Sequence, residues 1–269
     1  SGMRKILLLF VLILASCSFL PAQNYAAFSS KDKKFNAVLV GLKAGYSSYH
    51  TSFSVNPYSD AEFLNVSNYV IAAFAEFPIN SVYGLSVSAE AALVERGFDI
   101  KYTFRNVYDS QDVLNAKYLD LRIPLTYRFF PSKVINPYLF VSPELCFCYG
   151  GENTMNIGDY HYVVDISESD AVINPIDLGL AFGGGLRFNI PMNEYYLVLK
   201  LDMAYHLGLL NTISKKALNG DVSYINVNAT GGQPLGYRGN KGFEAMITLG
   251  FPLIHKVQDA CMGFGNRKY

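Results

Sequence analysis

The chain has 269 residues, 51% hydrophobic and only 16% charged, and its 22 Lys+Arg match its 22 Asp+Glu. That neutrality leaves no polybasic field for nucleic acid and no acidic run for a disordered tail. Tyr (20) and Phe (19) are abundant while Trp is absent, so Tyr must supply most of any interfacial belt.

Ser1-Gly2 precedes Met3 and is set aside as an expression scar. Arg4-Lys5 is a short basic region, and Ile6–Ala15 is a continuous apolar run, too short for an ordinary membrane helix. Residues 1–22 therefore read as scar and signal peptide. Cleavage after Ala22 is the leading reading; Leu14-Ala15-Ser16-Cys17 resembles a lipobox and offers a lipidated Cys17 as the alternative. Residues 23–36 read as a periplasmic lead-in.

From there the chain alternates with a period of two, which sends successive side chains to opposite faces of a strand. The first segment, about Ala37–Tyr49, sets Val38, Val40, Leu42, Ala44 and Tyr46 against Gly41, Lys43, Gly45 and Ser47. After a long polar loop, His50–Val66, about Ser67–Phe77 sets Tyr69, Ile71 and Phe77 against Glu76. Pro78–Val82 is short. About Tyr83–Arg96 opposes Leu85, Val87 and Leu93 to Ser86, Ser88 and Glu90.

Gly97–Ala116 is again long and polar. Tyr118–Phe130 has the clearest alternation: Leu119, Leu121, Ile123, Leu125, Tyr127 and Phe129 against Asp120, Arg122, Thr126 and Arg128. Pro131–Asn136 is a tight turn. About Tyr138–Tyr149 sets Leu139, Val141, Leu145 and Phe147 against Ser142, Glu144, Cys146 and Cys148. A third long loop spans Gly150–Pro175. About Asp177–Ile190 opposes Leu178, Leu180, Phe182, Leu186 and Phe188 to Asp177, Gly183, Gly185 and Arg187. Pro191–Glu194 is short. About Tyr195–His206 alternates Leu197, Leu199, Leu201 and Met203 with Lys200 and Asp202. Leu207–Asn240 is the last long loop, and about Lys241–Leu253 closes with Phe243, Ile247, Leu249 and Phe251 against Glu244 and Thr248.

Eight segments joined long, short, long, short, long, short, long predict an all-β fold, an eight-stranded antiparallel up-and-down transmembrane β-barrel over 37–253. Short turns face the periplasm, long loops face outward, and residues 254–269 form a C-terminal tail. Outward aromatics fall into two girdles, Phe77, Tyr127 and Phe251 at short-turn ends and Tyr46, Tyr69 and Phe243 at long-loop ends. Pro124 and Pro143 lie inside segments that a closed barrel leaves without an edge, so bulges are expected there. Gly183-Gly184-Gly185 has no Lys-Ser/Thr after it and reads as relief of crowding, not a phosphate loop.

Several stretches are similar to PorT-like outer-membrane barrels of the Bacteroidetes: GLKAGYSS at Gly41–Ser48, EAALVERG at Glu90–Gly97, YLDLRIPL at Tyr118–Leu125, NPYLFVSPEL at Asn136–Leu145, DLGLAFGGGLRF at Asp177–Phe188 and LDMAYHLGLLN at Leu201–Asn211. The closing ITLGFPL belongs with them. The resemblance spans about Lys34–Leu253 and implies an eight-stranded outer-membrane barrel of a Gram-negative bacterium. The family's namesake is associated with type IX protein secretion. Ile254–Tyr269 departs from the pattern by continuing past the last strand.

The candidate site is the set of inward charges: Lys43, Glu76, Glu90, Asp120, Arg122, Arg128, Glu144, Asp177, Arg187, Lys200, Asp202 and Glu244. An eight-stranded barrel is just wide enough to be filled by side chains, and charges buried there must pair. We expect a salt-bridge plug, with Glu90, Asp120, Arg122, Glu144 and Arg187 in one network. Expected partners are outer-membrane lipid and other envelope or secretion proteins, with no nucleic acid. No cofactor, metal or catalytic residue is expected; Cys146, Cys148 and Cys261 read as buried thiols. The function expected is a non-enzymatic outer-membrane protein, either a secretion accessory or a surface-binding barrel. The alternatives are a lipid-modifying enzyme around His206 or His161, its groups converging at the lipid face, and a narrow solute channel.

Overall fold

The computed structural model describes residues 37–53, 62–80, 83–104, 108–166, 173–192, 196–212, 214 and 238–253. The signal peptide, lead-in and tail, with Cys17, Cys261 and His255, lie outside the described residues. So do Tyr195, residues 54–61 of the first long loop and most of the last long loop.

Eleven strands are present among the described residues: β1 (Val38–Phe53), β2 (Glu62–Leu64), β3 (Val66–Asn80), β4 (Leu85–Phe104), β5 (Tyr108–Arg122), β6 (Leu125–Arg128), β7 (Ile135–Ile157), β8 (Tyr160–Asp165), β9 (Ile176–Pro191), β10 (Tyr196–Gly208) and β11 (Arg238–Leu253). All neighbours are antiparallel. The ring runs β1, β3, β4, β5 with β6, β7, β9, β10 and β11, and β11 returns to β1, with Val38 opposite Leu253. With β5 and β6 counted as one interrupted strand, the ring has eight members. Closure leaves no ring strand with an unpaired edge.

Burial is inverted relative to a soluble protein. Leu42, Tyr69, Ile71, Leu93, Leu139, Met203 and Ile247 point outward and are exposed, whereas Glu90, Asp120, Arg122, Glu144, Arg187 and Glu244 are buried. Apolar residues outside and ions inside are stable only where the outer medium is hydrocarbon.

The structure departs from the sequence reading in three places. First, Gly97–Ala116 and Gly150–Pro175 are not long polar loops. Strands β4 and β5 continue as a hairpin through Phe104 and Tyr108, and β7 continues into a hairpin with β8. Together with β2, paired to β4 at Asp99–Lys101, they form a sheet that rises beyond the ring on the long-loop side.

In this extension the alternation changes sign. Phe98, Ile100, Tyr102, Leu114 and Met155 are buried on the inner face, while Asp99, Lys101, Gln111 and Glu152 lie on the outer one. That is the pattern of a sheet in water. The switch is visible across β4 and β5: Leu93 stands opposite Leu119, and one step further Glu95 stands opposite Lys117.

Second, the interior is not polar throughout. Phe98, Ile100, Tyr102, Leu114 and Tyr118 join Val70, Ala92, Val94 and Met246 in an apolar core. Leu39, Phe74, Tyr196 and Val198 form a smaller one near the short turns.

Third, no bulge accompanies the prolines. The pairs Arg122–Glu144 and Leu125–Val141 keep one register across the β5–β6 break, as do Glu90–Arg122 and Val87–Leu125. Ile123 N donates to Pro143 O at 3.1 Å and Ser88 N to Pro124 O at 2.9 Å. Each pair keeps one of its two bonds and lacks the one the proline nitrogen cannot donate. Register shifts occur instead at Pro78/Asn80 and at Lys117/Tyr118.

Candidate functional site

The inward positions of neighbouring strands meet in the lumen. Arg122 on β5 is the hub. Its guanidinium takes Glu244 of β11 with both terminal nitrogens at 2.8 Å, and Asp120 at 2.9 Å. It also lies 3.2 Å from Glu144 and 3.4 Å from Glu90. Lys43 on β1 holds the other oxygen of Glu90 at 2.6 Å and lies 3.8 Å from Asp202. Thr248 donates to Asp202 at 2.9 Å.

Two members of this cluster were not on the sequence-derived set. Arg96 reaches Asp120 at 2.5 Å and Glu144 at 3.8 Å. Its guanidinium lies over the rings of Tyr49 and Tyr118 at 5.0 and 5.4 Å, so cation–π contact adds to the ion pairs. His206 sits between Glu144, 3.0 Å from Nδ1, and Glu244, 3.2 Å from Nε2. Tyr49 donates to Glu244 at 2.6 Å. Parity held the signal for both: Arg96 follows Glu90 by six residues and His206 follows Asp202 by four, so each shares its neighbour's face. Arg96 was masked by the expected loop beginning at Gly97.

Arg187 does not join this network. It pairs with Glu76 at 2.9 Å and takes Asn189 through Nε at 2.8 Å. Lys200 also pairs with Glu76, and Arg128 is buried beside them. The interior thus carries two ionic clusters, and the phenyl ring of Phe74 stands between them. Lys43 lies 5.6 Å and Lys200 5.2 Å from its centroid. Asp177 lies apart from both, accepting from Leu210 N at 3.2 Å and from Asn240 at 3.4 Å.

Asp120, Glu144 and Cys146 bring ligand atoms within 4.8 Å of one another. The cation they surround is the Arg96 guanidinium, which donates to Cys146 Sγ at 3.1 Å. Cys148 is half-buried and donates weakly to Gly150 O. Among the described residues the histidines do not assemble a site at the lipid face: His206 is buried toward the lumen, and His161 is exposed on β8 against Asn156.

Space inside the ring is small. Between Lys43, Glu90, Arg122, Glu144 and His206 lies a cavity of about 20 Å³, room for a water or so. At Gly185 a Cβ would meet Leu201 O at 2.1 Å and Tyr138 Oη at 2.9 Å, so only glycine fits that close approach.

A ring of eight antiparallel strands, ions within and hydrocarbon-compatible side chains without, describes an outer-membrane barrel. The model of one family, the outer membrane protein beta-barrel domain, matches residues 22–214. The chain belongs to this family. Its place is the outer membrane. No curated protein matches the chain.

Among solved structures, this outer-membrane barrel is similar to Neisserial surface protein A, with 12% identity and a TM-score of 0.38 over 79% of this chain and 96% of that one. It is also similar to Ail, the attachment invasion locus protein of Yersinia pestis, with 11% identity and a TM-score of 0.34 over 80% and 98%. OprG of Pseudomonas aeruginosa gives 10% identity and a TM-score of 0.37 over 81% and 96%.

Proposed function

We propose that this barrel is a closed, non-enzymatic scaffold that holds a recognition surface outside the outer membrane for another envelope component. The observation that carries this reading is the pairing of a lumen filled by two ionic clusters and two apolar cores with a sheet that continues past the ring on the long-loop side. A filled lumen offers no path for solute. A rigid scaffold with extended external strands is what recognition requires. His206 and its neighbours are occupied in ion pairs that support the wall, which favours structure over hydrolysis.

The PorT-like stretches support a reading in which the partner is the type IX secretion machinery and this chain is its accessory. A deletion strain tests that directly. Loss of type IX cargo from the cell surface supports the accessory role. Normal cargo display removes it and leaves binding of a surface ligand by the external strands.

A further inference from the structure

On β1 and β11, His50 and Lys241 stand directly opposite each other. Tyr49 and Thr51, on either side of His50, turn inward to Glu244 and Asn240, so His50 faces out, and Lys241 beside it shares that face. Both side chains are half-buried. Among the described residues neither makes a side-chain hydrogen bond or ion pair. Lys117, by contrast, has Glu95 opposite it. Two basic groups facing each other across strands disfavour pairing unless an anion joins them.

Below this pair lies an aromatic row. Phe243 is in register with Tyr205 and Tyr205 with Phe182, the last two rings lying 5.6 Å apart. One outward position lower the wall is recessed. Ala245 stands between Tyr46 and Met203, and Gly184 is on the far side of Met203. The small side chains leave an almost wholly apolar groove of about 840 Å³, within the range of about 300–1,000 Å³ that holds a small organic ligand.

His50 is four residues beyond Tyr46 on one continuous strand. At about 3.4 Å per residue and a tilt near 40° that is a climb of roughly 10 Å. The headgroup layer is only about 5–8 Å deep, so a phosphate at the basic pair puts the groove at the depth of the acyl chains. Lipid tails meet any barrel wall; here an uncompensated basic pair and a recess lie on the same two strands at the two depths one lipid occupies.

We propose that β1 and β11 carry a binding site for one phosphorylated acyl lipid of the outer leaflet. The Lys241 ammonium and a His50 ring N–H donate to its phosphate oxygens, and one of its chains fills the groove over Ala245 and Gly184.

The test is native mass spectrometry of the refolded barrel released from detergent, with phosphatidic acid and phosphatidylcholine of identical chains added in equal amounts. A single phosphatidic acid adduct should survive activation that strips phosphatidylcholine. His50→Gln with Lys241→Gln should lower its retention about tenfold, the loss expected for a charge-assisted contact. Ala245→Leu, which fills the groove, should lower it too, and Lys117→Gln should leave it as in the parent. Equal retention of the two lipids overturns the proposal, as does retention that neither the double variant nor A245L changes. A fall with K117Q as large as with the double variant means general charge attraction and overturns it as well. So do displacement by an equal concentration of glycerol 3-phosphate, which has no chain, and a barrel dimer that A245L dissolves. If A245L does not fold, the double variant, whose two side chains lie outside the lumen, decides.

Discussion

At the residue scale, Arg122 concentrates the energetics of the lumen. Four carboxylates lie within 3.4 Å of its guanidinium, in a place where an ion without a partner is costly. Replacing Arg122 with Leu should lower stability by about 3–5 kcal/mol, because it leaves buried anions uncompensated. Urea unfolding in lipid vesicles measures it, and a midpoint within error of the parent contradicts the hub role. Arg187→Leu should also destabilise, through Glu76. Arg187 pairs with Glu76, and Arg122 with Glu90, Asp120, Glu144 and Glu244, so the double variant should be additive within about 0.5 kcal/mol; a larger coupling would mean that Phe74 does not separate the clusters. Gly185→Ala drives a methyl into Leu201 O and should cost about 1–3 kcal/mol.

At the element scale, strands were legible in proportion to how the surrounding medium sorts their side chains. Within hydrocarbon, alternation such as Leu119, Leu121 and Leu125 against Asp120, Arg122 and Thr126 has one meaning, and the structure places each on the expected face. Above the membrane the same period persists with opposite polarity. Phe98, Ile100 and Tyr102 then fall on the face that lower down carries ions, and a reading tuned to the membrane takes the stretch for a loop. Parity also reveals only the face, not the depth or the partner, which is why Arg187 was assigned to the wrong cluster while its orientation was right.

Two measurements belong here. Ser88 and Ile123 donate to proline carbonyls in pairs that lack their second bond, so their amides should exchange hydrogen faster than those of Glu90 and Leu121; equal protection would show the break to be as tight as the ladder beside it. Ile100→Asp places a charge in the external apolar core. It should open the β4–β5 hairpin to trypsin at Lys101 while heat-modifiable migration of the barrel is retained. Loss of both would mean that the extension and the ring fold as one unit.

At the scale of the whole molecule, the lumen among the described residues is packed with ion pairs and apolar side chains. Its central cavity of about 20 Å³ is far below what a hydrated ion needs to pass, so planar-bilayer recording should show no large, stable conductance. A porin-like step would overturn the closed-scaffold reading.

The change of polarity between Leu119 and Lys117 acts as a waterline drawn on the wall. From Tyr118 to Tyr108, β5 climbs ten residues of continuous strand. At about 3.4 Å per residue and the usual barrel tilt near 40°, that is a rise of roughly 25 Å. A lipid headgroup layer is only about 5–8 Å deep. The tip that carries Tyr108, Tyr160 and Tyr162 is therefore a pedestal top, held well clear of the bilayer by paired backbone rather than by tethered chain. Anything that binds at this tip would be held at a fixed stand-off from the lipid, set by the length of paired strand beneath it.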